Sequence, residues 1–379
     1  MDVPASPFAN PDRRGPPGPL SGIGVLDLSA YIAGPYGCTL LADQGADVIK
    51  IEPPGGDNLR AYPSTLKAEN RAFLGVNRSK RGLVLDLKNP AKLQVLLDLV
   101  VAADVLVHNF RPGVAERLCI DHARLATLNP RLIYCVVSGY GEKGPLRGKA
   151  GYDQVLQAFT GMTVLQGKPG EPELTYGSPV DYYAAALVAG GVSSALFERE
   201  RSGLGQHVGV SLLRSALAMQ SARFVQAEGE AHNIGRDMRS GGITGLHPTA
   251  DGILYLSANT TRFWAALCER VGLAGLATDA RYATVQDRAA RAGELLPLLR
   301  RALLARGALA WEELLGDAVP CSAVRAIEDM FGDPQVLAEG IIAPIAHPTL
   351  GSYRAVTRAI EFSRTAGPDP FAAPTLKTE

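Results

Sequence analysis

The sequence predicts an α/β protein. It should have a large domain on a doubly wound parallel sheet, a second, smaller α+β domain, and a return of the chain to the large domain. Three observations carry this prediction. Short apolar runs alternate with helical segments from residue 23 to residue 137, the pattern of strands and helices that builds a parallel sheet covered on both faces. A smaller mixed pattern replaces it between about 226 and 330. The chain has 379 residues, 46% hydrophobic and 20% charged, which is ordinary globular usage and enough length for two domains.

Taken in order, residues 1–20 are rich in Pro, Asp and Arg and lack the apolar core of a signal peptide, so they read as a flexible lead-in. The large domain is expected over 21–225. Residues 23–28 form its first strand, 34–45 a helix, 47–51 the next strand and 83–87 another. Helical spacing over 89–103 begins at Asn89-Pro90, a cap followed by a proline in the first turn, and 105–107 and 132–137 are buried-strand runs. The Ala-rich apolar stretch 184–196 reads as a buried helix opened by Ser178-Pro179. The small domain is expected over 226–330, from the segments 252–257, 263–271 and 294–305, with 331–379 returning to the large domain and ending in a tail. In doubly wound sheets ligands bind beyond the carboxyl ends of the strands, which directs attention to the loops 29–35, 52–60, 109–113 and 138–151.

Composition excludes several functions. With 38 Lys+Arg against 38 Asp+Glu the net charge is zero, so no global field recruits nucleic acid or an anionic membrane, and any phosphate must be held by local cations. The five cysteines are scattered and never form Cys-x-x-Cys, which argues against a disulfide framework or a zinc site and for a reducing cytosol. No metal is expected. Gly139-Tyr140-Gly141-Glu142-Lys143-Gly144 fits Gly-x-Gly-x-x-Gly, but Pro145 follows and no helix starts on the glycines, so it reads as a mobile loop rather than a dinucleotide turn. Gly-x-x-x-x-Gly-Lys-Ser/Thr, His-Glu-x-x-His and Gly-x-Ser-x-Gly are all missing.

Asp181 is the residue with the clearest chemical promise. It follows Ser178-Pro179-Val180 in the first turn of the apolar helix, where the positive end of the helix should keep its carboxylate ionised, as a nucleophile requires. On the residues alone, a carboxylate that merely complements the helix dipole fits equally.

Several fragments, in order, resemble the family III CoA-transferases. They are Gly45-Ala46-Asp47-Val48-Ile49-Lys50-Ile51-Glu52, Asn77-Arg78-Ser79-Lys80-Arg81, Asn109-Phe110-Arg111-Pro112-Gly113, Ser138-Gly139-Tyr140-Gly141, Arg201-Ser202-Gly203 with Gly205-Gln206, Asp333-Pro334-Gln335-Val336, and His347-Pro348-Thr349-Leu350-Gly351. The resemblance spans about 20–362. It implies a Rossmann-like CoA-binding large domain, an interlocked ring homodimer, and an enzyme that moves CoA between carboxylic acids. Coenzyme A enters as a thioester substrate, with no permanently bound cofactor. Asp181 is implied as the nucleophile, forming an aspartyl anhydride and then an aspartyl-CoA thioester.

The resemblance also implies a CoA site, whose phosphates call for Lys or Arg. Ala33, Asn109 and Phe110 would line it, and Lys80 with Arg81, Arg117 and Lys149 would supply the charge. As plain residues, Lys80, Arg81 and Arg117 are equally ordinary surface charges, and Asn109 a turn former. Gly241 and Gly242, in Ser240–Gly245, are implied in a loop that presents backbone N–H groups to an oxyanion; the residues alone also fit an interdomain turn. His232, His247 and Arg214 receive no definite role.

The family also holds racemases, which need a base on each face of the substrate. Tyr152 stands here where the racemases carry histidine, in Gly151-Tyr152-Asp153, and a phenol is a poor base at neutral pH. It can hydrogen-bond an acyl oxygen, or simply pack. Asp153 reads as a capping or orienting residue and the weaker nucleophile. CoA transfer is therefore the expectation, with an acyl-CoA racemase, an intramolecular transferase on a diacid and a non-catalytic acyl-CoA binder as rivals.

Overall fold

The computed structural model describes residues 6–10, 13–67, 69–167, 170–231 and 242–376. Met1–Glu228 with Glu339–Glu379 forms one compact unit and Gly229–Ala338 a second. The excursion thus ends at Ala338, eight residues beyond the boundary at 330 expected from sequence (338 − 330).

The first unit opens with β1 (Gly24–Asp27), α1 (Ala33–Asp43), β2 (Asp47–Glu52), α2 (Arg71–Asn77), β3 (Lys80–Val84), α3 (Pro90–Ala102) and β4 (Val105–His108). It continues through α4 (Val114–Arg117), α5 (His122–Leu128), β5 (Ile133–Ser138), α6 (Asp153–Phe159), α7 (Met162–Gln166), α8 (Pro179–Ser202), β6 (His207–Ser211) and α9 (Leu212–Ala218). The six strands are all parallel, in the order β3-β2-β1-β4-β5-β6. The order reverses between β1 and β4, so the loops leaving their carboxyl ends diverge and open a crevice.

Strand alternation builds the two faces of the core. Val25, Val48, Val105, Val107, Ile133 and Cys135 pack under α1 and α8, while Leu26, Ile49, Leu106, Tyr134 and Val136 face the opposite cluster with Leu96, Val100 and Leu125. In α8, Ala184, Ala185, Val188, Ala189, Val192, Ala195 and Leu196 are buried. At the crossing with α1, a Cβ on Gly37 would lie 2.7 Å from Val188, so only glycine allows this approach. The buried helix expected over 184–196 is buried on one face only. Tyr182, Tyr183, Leu187 and Phe197 are exposed.

Two further readings are corrected. The lead-in is packed where it is described: Phe8 is buried against Gly24, and Arg13 donates to the carbonyls of Gly45 (2.6 Å) and Ala46 (2.9 Å). The strand expected at 83–87 runs instead over Lys80–Val84. Two basic residues begin it because each has a carboxylate beside it. Arg81 pairs with Asp47 (2.8 Å), and the Lys80 ammonium is 1% exposed and donates to Asp27 Oδ2 (2.8 Å), Asn77 Oδ1 (2.8 Å) and the Pro35 carbonyl (2.7 Å). Lys50 joins this buried group, donating to Asp57 Oδ2 (3.0 Å) and the Ser29 carbonyl.

The second unit holds β7 (Gly245–Pro248), β8 (Ile253–Leu256), α10 (Thr261–Arg270), α11 (Val285–Ala290), α12 (Ala292–Leu303), α13 (Ala308–Leu315), β9 (Cys321–Ala323) and α14 (Pro334–Ala338). Its antiparallel sheet, ordered β7-β8-β9, packs Leu254 and Leu256 with Trp264, Leu267, Leu295, Leu299 and Trp311. Back in the first unit, β10 (Ile342–His347) and β11 (Gly351–Val356) form an antiparallel ribbon.

Removing one member of a buried ion group leaves its partner uncompensated. Lys80→Ala should therefore lower the unfolding free energy of the first unit by about 3–5 kcal/mol in a denaturant titration, whereas a loss below about 1 kcal/mol would mean Lys50 alone satisfies Asp27.

Candidate active site

The crevice at the reversal is built by four loops. After β1, Ser29 bonds back to Asp27 through its N–H and hydroxyl. The next residue is held across the crevice: Asn109 Oδ1 accepts the Ala30 N–H (2.9 Å) and its Nδ2 donates to the Ala30 carbonyl (2.8 Å). Asn109 thus straps the β1 loop to the β4 loop. After β4, Phe110 donates its N–H to His108 Nδ1 (3.1 Å) and stacks on that ring at 5.0 Å. With Nδ1 accepting, His108 Nε2 carries the proton and donates to Tyr134 Oη (2.7 Å), which donates onward to the Ile120 carbonyl (3.0 Å). Burial, with His207 nearby, pushes the His108 imidazole down to about 4, so it is neutral at pH 7.

The third loop runs from β5 to α6. No helix starts on its glycines; Gly139 instead meets Gly151 so closely that a Cβ would lie 2.8 Å from the Gly151 Cα. That approach folds Arg147, Lys149 and Tyr152 back onto the crevice. The fourth segment is the start of α8. Ser178 occupies the cap position, but with φ +58° and no capping bond from its side chain. Asp153 caps in its place, its Oδ2 accepting the N–H groups of Val180 (2.6 Å) and Asp181 (3.0 Å).

These loops enclose a cavity of about 160 Å³. It brings together Asp181, Tyr152, Ala33, Asn109, Phe110 and Lys149, all singled out from the sequence, and adds Tyr31, Arg111 and Arg147. All three lie in loops already marked as site loops, though none was singled out as a site residue. Among the described residues Asp181 is the one carboxylate lining this cavity. It is half-buried, and burial first, then the Asp153 charge, pushes its carboxyl up to about 7. The expectation that the helix end would simply keep it ionised is thus corrected, because Asp153 occupies the amides that would have done so.

Three basic residues do not line the cavity. Lys80 is committed inside the core, Arg81 pairs with Asp47 at the amino ends of the strands, and Arg117 is exposed at the end of α4, folded over Gly113. Gly242 lies in the second unit at φ +90°, while Gly241 and His232 fall outside the described residues. His247 is buried in the second unit against the Ile243 carbonyl, and Arg214 is exposed beside a separate hollow with Lys143.

Two hollows adjoin the cavity through Phe110. One, of about 600 Å³, shares Arg111 and Arg147 with it and is backed by His108, His122 and His207. The other, of about 180 Å³, is formed by Leu28, Ile51, Pro53, Leu85, Leu87 and Leu118, with Lys88 at its edge. Among the described residues no group of three His, Cys, Asp or Glu side chains converges as metal ligands.

Fold and site define the class: an α/β protein that sets one carboxylate among cations at the switch point of a doubly wound sheet. The chain belongs to CoA-transferase family III, whose model matches residues 20–379. It is similar to succinate–glutarate CoA-transferase of Agrobacterium fabrum, 35% identical over 341 residues that cover 85% of this chain and 84% of that one. It is also similar to acetyl-CoA:oxalate CoA-transferase of Acetobacter aceti, 36% identical over 334 residues, 86% of each chain. Among solved structures, a CAIB/BAIF family protein from Brucella suis matches with a TM-score of 0.81 at 28% identity, covering 93% of this chain and 94% of that one. The protein is therefore a CoA-transferase.

The raised Asp181 pKa has a definite sign in the rate. The carboxyl holds its proton until pH approaches 7; with Asp181 as the attacking carboxylate that the resemblance implies, kcat/KM for CoA transfer should fall about tenfold per pH unit below that value and level off above it. Asp153→Asn removes the neighbouring negative charge and should move this limb to lower pH. A limb that does not move would remove Asp153 from control of Asp181.

Proposed function

We propose that the chain exchanges CoA between an acyl-CoA thioester and a free carboxylic acid through covalent intermediates on Asp181. One observation carries the reading: among the described residues Asp181 is the only carboxylate lining a cavity that also presents Arg111, Arg147 and Lys149. The Asp181 carboxylate attacks the thioester carbonyl, giving an aspartyl acyl anhydride and CoA thiolate. The thiolate attacks the aspartyl carbonyl, forming aspartyl-CoA thioester and releasing the donor acid. The acceptor carboxylate then attacks this thioester and expels the thiolate, which takes the acceptor acyl group from the new anhydride and frees Asp181. Each bond broken is matched by one of similar energy formed, and the exchange is split into easier steps.

CoA binding divides among the neighbouring features. Arg111, Arg147 and Lys149 suit its phosphates, in place of Lys80, Arg81 and Arg117. The apolar hollow beside Phe110, with Lys88 at its edge, suits the flat adenine. Tyr152 is the candidate for holding the acyl oxygen. A racemase needs a second base, and among the described residues no histidine lines the Asp181 cavity. The acids themselves we take to be small dicarboxylates, since the relatives are named for succinate, glutarate and oxalate. The exposed face of α8, with Leu187 and Phe197, supports a homodimer in which a second copy covers it.

Incubation with an acyl-CoA followed by hydroxylamine should convert Asp181 to its hydroxamate, seen by mass spectrometry in the peptide spanning 177–183, and Asp181→Ala should abolish exchange while leaving the fold intact. Retained turnover in that variant would remove Asp181 from the mechanism. Arg111→Ala and Lys149→Ala should each weaken CoA binding roughly tenfold to a hundredfold in calorimetry, with Lys88→Ala affecting CoA more than free acid.

A further inference from the structure

Among the residues lining the Asp181 cavity, Tyr31 alone combines a side chain with a positive φ, +67°. That backbone conformation is costly for a bulky residue and persists only where surrounding contacts impose it. Here they do. The Tyr31 N–H is bonded to Asp57 Oδ1 (3.2 Å), and Asp57 is itself fixed by Lys50. Ala30, one residue earlier, is strapped to Asn109. The strained turn delivers the Tyr31 ring edge-on to Tyr152, 5.7 Å between centroids, and both line the same cavity as Asp181. Asn58 Nδ2 donates to Tyr31 Oη (3.2 Å), which occupies an acceptor position and leaves the O–H to donate. Hydrogen bonding with Tyr152, then burial, holds the Tyr31 phenol above its ordinary pKa, so it keeps its proton at neutral pH.

We propose that Tyr31 is a specificity-determining residue: with Tyr152 it presents two phenolic O–H groups to the distal carboxylate of the acid whose reacting carboxyl meets Asp181. The proposal rests on the CoA-transfer reading above. It selects small dicarboxylates over monocarboxylates of the same length, because a methyl group in that position cannot accept from the hydroxyl pair. A site built to hydrogen-bond a substrate oxygen rejects the analogue that lacks it.

The test compares a four-carbon dicarboxylate with its four-carbon monocarboxylate as acceptors, from one acyl-CoA donor, for the wild type and two variants. Tyr31→Phe keeps the ring, its packing and the backbone while removing the hydroxyl. It should lower kcat/KM for the dicarboxylate roughly tenfold or more and leave the monocarboxylate within about twofold. Tyr31→Asn accepts the left-handed backbone more readily, so it keeps the turn while removing the ring, and it should show an acid-dependent loss at least as large. Equal losses for both acids, or none, in both variants overturn the proposal while the transferase reading stands. A wild-type chain that moves CoA between no pair of acids overturns both.

Discussion

The buried ion group inside the sheet is the constraint from which the site follows. Asp27, Lys50 and Lys80 come from three neighbouring strands, and none is more than 1% exposed. Burial alone would raise the Asp27 carboxyl, but Lys50 and Lys80, with the hydrogen bonds from Lys80 and Ser29, outweigh it and hold it below its ordinary value. Such groups add little net stability over an apolar core, yet they fix geometry, since every donor must find its acceptor. The acceptors here are the carbonyls of Ser29 and Pro35, the two ends of the turn after β1, together with Asp57. The turn that forms one wall of the active site is thus tied to the interior of the sheet.

A second constraint acts across sequence rather than across strands. The first amides of α8 are claimed by Asp153, which lies 28 positions before Asp181 (181 − 153) at the start of α6. Asp153 is in turn held by Gln157, whose amide also bonds the Thr175 carbonyl. One carboxylate therefore locks three segments and places the second, Asp181, beside itself in a half-buried position. The two have separate tasks because their surroundings differ. Asp153 is saturated with N–H donors; Asp181 faces the cavity.

Much of this was legible in the sequence, and the exceptions have physical causes. The apolar runs that became β1, β2, β4 and β5 are buried on both faces, so hydrophobicity alone marks them. The strand order was not legible residue by residue, but the loops it brings together were named, because ligands gather at carboxyl ends of strands. Lys80 and Arg81 were misplaced, although one rule bears on them. Adjacent residues in a strand point to opposite faces, so the pair could not have gripped one phosphate together. Asn109 lines the cavity as expected, yet its amide is spent on Ala30, a partner 79 residues away that spacing cannot reveal. Tyr31 lies in a loop that was named, but its left-handed backbone was not legible, because such a conformation in a non-glycine residue exists only where tertiary contacts impose it.

The raised pKa of Asp181 bears on the energetics of the proposed exchange as well as its pH dependence. Free carboxylates are stabilised by water, and the donor and acceptor acids have that stabilisation in solution. A nucleophile equally well solvated would gain little by becoming an anhydride or thioester. Burial beside Asp153 destabilises the ionised Asp181 specifically, while the acylated forms, being neutral, escape the penalty. The covalent states are thereby brought closer in energy to the resting enzyme, which favours reversible exchange in both directions. Placing Arg111, Arg147 and Lys149 against Asp181 directly would undo this by stabilising the charge. Among the described residues Asp181 has no ion pair, and those cations line the same cavity without neutralising it.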